Sequence, residues 1–259
     1  MLARSGISAL VCLVLVSPAY ADVTVRQKNT GKGGMGGAMS GETVQFIKGT
    51  RMRMDQTMGG DQTSTIVDAG SQKMIVLNHK KKEADVYDMA KIAQEISQAT
   101  GAGDIEASIT PTARTRQIAG ATCTDHDVKM SVPMKMGNDT MTMVTAGVVC
   151  LAKGGPGADD FAAFYRAAAE KGLFFNDPRA AKAQPGQAKG MAVLYRGMAD
   201  RGVAYATDIR MSFEGTGMMA SMMNKMGGVS MSSEVLSIAS DAIPDAHFDV
   251  PAGYKTRNR

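Results

Sequence analysis

Cys123 and His126 form a C-x-x-H spacing, one of the few arrangements in this chain that could hold a metal ion. The surrounding run, TCTDHDVKM, alternates like a β-strand. Positions three apart on a strand point to opposite faces, so a thiolate and an imidazole so placed cannot converge on one ion. The same geometry dismantles Asp125-His126-Asp127 as a base with its orienting carboxylates, because His126 faces away from both neighbours. The two aspartates are expected on one solvated face. The chain has only three histidines, His79, His126 and His247, and neither H-E-x-x-H nor G-x-S-x-G occurs. That leaves little for general-base or nucleophilic work. Gly31–Gly41 carries six glycines but lacks the G-x-x-x-x-G-K-[ST] pattern of a phosphate loop, and reads as a flexible loop. Asp159-Asp160 reads as a helix start, where carboxylates favour the positive end of the dipole. No catalytic residue, enzyme activity or cofactor is expected.

Methionine is the compositional anomaly: 22 residues, with no tryptophan. The clusters are Met52/Met54/Met58, Met130/Met134/Met136, Met141/Met143 and Met218/Met219/Met222/Met223/Met226. Counted from Met219, the last falls at helical spacing, a stripe that Met218 widens. Three uses are open. Met fills irregular cores, and it also lines adaptable surfaces that accept apolar ligands. Its thioether further selects Cu(I). For copper the best pair is Met52-x-Met54, because two residues apart on a strand share a face. No histidine lies inside a Met cluster.

Several elements must position these residues. The first 21 residues have the three parts of a signal peptide: Arg4, an apolar stretch from Ile7 to Val16, and Ala19-Tyr20-Ala21 before Asp22. Cleavage is expected after Ala21. Cys12 lies inside the apolar stretch and not at its end, so lipidation is not expected. Residues 22–259 then form one expected domain, and no later run approaches the roughly 20 apolar residues of a membrane span. Removing Cys12 leaves Cys123 and Cys150, which in an exported chain read as one disulfide.

From Glu42 to Met89, apolar or β-branched residues recur two apart between turn residues. This is the pattern of an antiparallel meander with one wet face. Further strands are expected at Asp22–Lys28, Thr115–Ala119, Thr122–Met130, Met141–Leu151, Val203–Glu214 and Val229–Ser240, with a loop reaching Pro111. Helices are expected at Met89–Ala99 behind Asp88, from Asp159 as cap to Gly172, and from Pro185 through Met191, Leu194, Tyr195 and Met198. The fold class is α+β: a curved antiparallel half-barrel sheet with helices covering its concave face, and a helical insertion around 154–228. The net charge is only +4, no basic block exceeds Lys80-Lys81-Lys82, and aromatics are scarce, so nucleic acid is not an expected partner.

Three pieces carry a family resemblance. They are F-I-K-G-T-R-M-R-M-D at 46–55 followed by T-I-V-D-A-G-S-Q-K-M-I-V-L-N at 65–78; I-A-G-A-T-C at 118–123 with V-V-C-L-A at 148–152; and H-F-D-V-P-A-G-Y at 247–254. Together they resemble the bacterial exported DUF4412 family, itself similar to the lipoprotein carriers of LolA, LppX and RseB type. The resemblance covers most of 41–254 and is loose in 154–228. It implies a half-barrel whose concave face, closed by helices, holds acyl chains or another apolar ligand. It carries over no catalytic residue.

The expectation is therefore a periplasmic, non-catalytic binding protein for a lipid or other apolar ligand. The expected lining is Phe161, Phe164, Met191, Leu194, Met198, Met219, Met222, Met223 and Met226. A Met-rich periplasmic copper-binding protein and a ligand-free envelope interaction protein are the alternatives.

Overall fold

The computed structural model describes residues 22–33, 37–98, 105–136, 139–173, 178, 185–216, 218–225 and 228–259. Residues 1–21, expected as a signal peptide, Met226 and the side chains of Met218 and Met219 lie outside what is described. Twelve strands form one open sheet. They are β1 (Val23–Lys32), β2 (Ala38–Lys48), β3 (Arg51–Met58), β4 (Asp61–Asp68), β5 (Lys73–Asn78), β6 (Glu83–Asp88), β7 (Glu106–Ile118), β8 (Ala121–Met136), β9 (Asp139–Ala152), β10 (Val203–Gly215), β11 (Val229–Ala239) and β12 (Lys255–Asn258). Four helices accompany them among the described residues: α1 (Met89–Gln98), α2 (Ala158–Glu170), α3 (Pro185–Ala199) and α4 (Met218–Lys225).

The spatial order is β12-β6-β5-β4-β3-β2-β1-β11-β10-β9-β8-β7. Consecutive strands pair within two meanders, β1–β6 and β7–β11, with α2 and α3 inserted between β9 and β10 and α4 between β10 and β11. The antiparallel β1–β11 ladder, from Thr24 opposite Ala239 to Lys32 opposite Ser230, joins them. The expected α+β class with a mainly antiparallel sheet is observed. One pairing departs from it: β12 runs parallel to β6, which makes the sheet mixed.

The C-terminal half is rolled. Strands β11 and β7 stand four positions apart, which in a flat sheet is about 19 Å at the usual strand spacing. Their Cα atoms nevertheless approach within 8 Å. Helices α2 and α3 pack on each other and cover the concavity, touching β2 and β10 from one side and β7 and β8 from the other.

Three local expectations are corrected. The glycine-rich 31–41 segment is not wholly a loop: β1 and β2 stay paired out to Lys32 opposite Ala38. Backbone pairing needs no side chains, and Gly41 suits it, since a Cβ there would lie 1.9 Å from the Thr57 carbonyl oxygen. Strand β7 begins at Glu106, not beyond Pro111, which sits in the strand just before a bulge. Because β7 is a sheet edge, Pro111 costs no ladder bond on its open side. Third, the start of α2 is not capped by Asp159. Gly157 occupies that position with φ 70° and no side-chain cap. A Cβ at Gly157 would come 2.0 Å from Val23 Cγ2, so only glycine lets α2 start against β1. Elsewhere capping follows expectation: Asp88 Oδ1 accepts from the Lys91 amide at 3.1 Å, and Gly172, at φ 66°, ends α2.

The first meander is not wet on its outer face. Ile47, Val67 and Met74 turn toward the helical side and join Met89 and Ile92. Ile66, Leu77 and Ala84 turn the other way and are covered by Ile243 and Phe248 of the C-terminal tail. The tail is held by polar contacts. The Ile243 amide donates to the Asp22 carboxylate at 2.6 Å, Lys48 Nζ donates to the Ile243 carbonyl at 2.7 Å, and Arg53 donates to the His247 carbonyl at 2.9 Å. The His247 ring packs edge-on against Phe46, with centroids 4.2 Å apart.

Burial, followed by the Arg53 charge, holds the His247 imidazole below its ordinary value of 6.5. The folded state then binds fewer protons than the unfolded chain as pH falls below about 6.5, so folding weakens there. Titrating the denaturation midpoint with pH should show a loss of stability beginning below about 6.5, which His247→Gln removes. A further loss, retained in that variant, should set in near pH 4 and below, where Asp85 and Asp245, both lowered chiefly by arginine hydrogen bonds, become protonated.

The Cys123–Cys150 disulfide is formed, with Cα atoms 5.3 Å apart and a sequence separation of 27. It staples β8 to β9, and both cysteines are fully buried in the main core. In the chain-entropy account a loop of that size is worth about 3–4 kcal/mol. Denaturant titration of Cys123→Ala/Cys150→Ala should show a loss of about that size, and reduction of the wild type should reproduce it.

Candidate functional site: a cavity between sheet and helices

Helix α3 brings a stripe of large residues to the concave side because its sequence repeats them at helical spacing. Met191, Leu194, Tyr195 and Met198 all border one cavity of about 230 Å³. Phe161, Ala162 and Tyr165 of α2 form the adjacent helical wall. Opposite them the sheet contributes Ile109 of β7, Val128 of β8 and Val149 of β9. The approach of α3 to the sheet depends on its glycines. A Cβ at Gly190 would sit 2.5 Å from Met130 Sδ, and one at Gly197 would sit 2.7 Å from Ile109 Cγ2. Seven residues apart, these glycines lie on nearly one helix face.

The two helices meet through aromatic stacking. Tyr165 and Tyr195 lie nearly parallel with centroids 5.5 Å apart, and Phe161 stacks on Tyr165 at 5.6 Å. Burial raises the pKa of both phenols; the Gln45 side chain, hydrogen-bonded to Tyr165, partly offsets this there. Both rings are therefore neutral across the physiological range.

The structure sorts the expected lining residues. Phe161, Met191, Leu194 and Met198 border the cavity. Phe164 does not: it is 1% exposed and belongs to the core beneath α2, so it is a structural residue. Met222 and Met223 lie on α4, which packs against β9 and β10, and neither borders the cavity. The α4 methionines were expected as a lid because their spacing is helical. They do form a helix, but Met222 is 47% exposed. Met219 and Met226 lie outside the described side chains. Met52 and Met54 share one face of β3, with Met52 packed against the main core. Among the described residues no group of three or more His, Cys, Asp or Glu could hold a metal ion.

Sequence reasoning missed the polar half of the wall. Thr145, Thr207, Ser233, Gln27 and Gln45 all face the cavity. Small polar residues at strand positions ordinarily signal a wet face, and nothing local marks these as turned inward.

Two polar clusters outside the cavity resolve as structural. Asp125 is not solvated as expected: it is 7% exposed and lies under Arg116 at 2.8 Å and Arg114 at 3.4 Å. The His126 ring bonds the Thr124 carbonyl at 2.9 Å, turned away from both aspartates. Ser64 Oγ lies 2.7 Å from His79 Nε2, whose Nδ1 lies 2.7 Å from the Tyr254 hydroxyl. That chain resembles a hydrolytic relay in its atoms only, since Ser64 is fully buried. It ties the β5–β6 hairpin turn to the C-terminal tail.

No family model matches the chain, and no curated protein matches it. Among solved structures, two crystal forms of PNGF-II align with it at a TM-score of 0.36 and 9% and 10% identity. The alignments cover 92% of this chain but only 32% and 31% of those chains, so the protein spans about a third of their length. A likeness that weak assigns neither family nor activity.

The division between core and cavity wall is measurable. Phe164→Ala should cost about 3–5 kcal/mol, as for a fully buried aromatic. Met191→Ala, which trims a half-buried residue beside existing empty space, should cost roughly half of that or less. Denaturant midpoints of the two variants check the order, and equal costs would place Met191 in the packed core.

Proposed function

We propose that this protein is an exported, non-catalytic binding protein that holds a small apolar ligand between its rolled sheet and the α2–α3 pair. The cavity carries the reading. At about 230 Å³ it exceeds the roughly 150 Å³ apolar cavity known to accept benzene, and falls below the roughly 300–1,000 Å³ of drug-sized ligand sites. A single chain or ring fits such a space. The several acyl chains of a mature lipoprotein do not, which argues for a smaller cargo on the carrier-like half-barrel that the sequence resembles.

Export to the periplasm is supported by the three-part signal pattern at 1–21 and by the Cys123–Cys150 disulfide, which persists in oxidising compartments. Among the described residues no helix is long and apolar enough to cross a membrane. A ligand-free interaction role calls for a filled core, and the cavity argues against it. A copper role has weaker support. Met52 packs into the core, and α4 lies against strands at least four positions from β3 in the sheet.

Titration with N-phenyl-1-naphthylamine, an uncharged probe that fluoresces in apolar surroundings, tests the reading. Saturable binding at one site per chain is expected. Ala162→Phe, which fills the cavity from α2, should weaken it at least tenfold, whereas Met222→Leu/Met223→Leu should leave it unchanged. Wild-type protein that shows no saturable binding would sink the proposal.

A further inference from the structure

The cavity wall is divided by chemistry. Five consecutive strands of the sheet, β9, β10, β11, β1 and β2, each contribute one uncharged polar side chain: Thr145, Thr207, Ser233, Gln27 and Gln45. Thr207 stands directly opposite Ser233 across the β10–β11 ladder, so the two hydroxyls share a face. The remaining wall, from β7, β8, the helices, and Val149, Ala204 and Ile209 of β9 and β10, is predominantly apolar. Among the described residues, no Lys, Arg, His, Asp or Glu borders the space.

Thr145 is the sharpest member of the stripe. It is 6% exposed, and its Oγ1 has no hydrogen-bond partner among the described residues. Burying a hydroxyl without a partner is unfavourable, and native interiors rarely leave one so. Gln27, Thr207 and Ser233 likewise make no side-chain hydrogen bond with another described residue.

Building on the cavity as a ligand site, we propose that its ligand is an uncharged amphiphile. An apolar chain or ring lies against Ile109, Val128, Met191 and Leu194, and a neutral hydrogen-bonding group, a hydroxyl, ester or amide, engages Thr145 and its polar neighbours. A free carboxylate is disfavoured. It would lose its hydration in a space where no cation compensates, and buried charge requires such a partner. A pure hydrocarbon is disfavoured less, because it would leave the Thr145 hydroxyl unpaired. Hydroxyl and carbonyl groups both suit threonine, which donates one hydrogen bond and accepts others.

Displacement of bound N-phenyl-1-naphthylamine by octane, 1-octanol and octanoate at pH 8, on wild type and Thr145→Val, decides the matter. In the wild type, 1-octanol should displace the probe at least tenfold more effectively than octanoate and several-fold more than octane. In Thr145→Val its advantage over octane should fall by several-fold, while octane is unaffected. The thermal midpoint of the variant should hold or rise, because valine keeps the shape and removes an unpaired group. Equal displacement by all three compounds overturns the neutral-amphiphile proposal and leaves the apolar-binding function standing. Tighter binding of octanoate, or an unchanged octanol advantage in Thr145→Val, also overturns it. Failure of the probe itself to bind removes both.

Discussion

The β1–β11 ladder is the constraint on which the rest depends. It pairs strands about 200 residues apart in the chain and converts two local meanders into one twelve-strand sheet. The cavity straddles this seam: Gln27 and Gln45 come from one side, and Ser233, Thr207 and Thr145 from the other. Neither meander alone contains the site. The ladder carries a register shift at Arg26/Gln27. Bulges bend a strand and increase its twist, so the seam is also a place where the sheet can turn inward.

A sheet this wide has two faces and two edges to protect, and the chain answers each with a different device. The concave side takes α2 and α3, whose glycines permit close approach and whose large residues stop short of filling the space. The outer face of the first meander takes the C-terminal tail, fastened through Asp22, Lys48, Arg53 and the Ser64–His79–Tyr254 chain. The β6 edge is closed by β12, where Arg257 bonds the Asp85 carboxylate at 2.7 Å. The β7 edge carries Pro111 and a bulge, both of which discourage pairing with another chain.

The cavity follows from the same economy. Rolling the β7–β11 half brings its far strands together, and the helices bridge the gap that curvature opens. Phe161, Tyr165 and Tyr195 of α2 and α3 stack with one another beside the cavity. The floor keeps hydroxyl and amide groups that a close-packed core would exclude, because interiors packed to crystal density leave unpaired polar groups no room. A polar stripe across an otherwise apolar wall is hard to explain by folding alone.

Much of this was legible in the chain. Alternation marked nearly every strand of the first meander, because side chains on a strand change face at each residue. Helical spacing marked Met191, Leu194 and Met198 as one stripe, and the two cysteines left after the expected signal segment marked their own bond. What local pattern could not reveal was where each face points. Nothing local marks Thr145 and Ser233 as inward-facing, and only the roll of the sheet brings them to the cavity. The α4 methionines had the spacing of a lid, and only the order of strands places them beside β9 and β10 instead. The wet face expected of the first meander was covered by a tail some 170 residues further along the chain. Periodicity is set by neighbours in sequence and survives in isolation. A cavity is set by what remains unfilled when distant segments meet, and that exists only once the β1–β11 seam has closed.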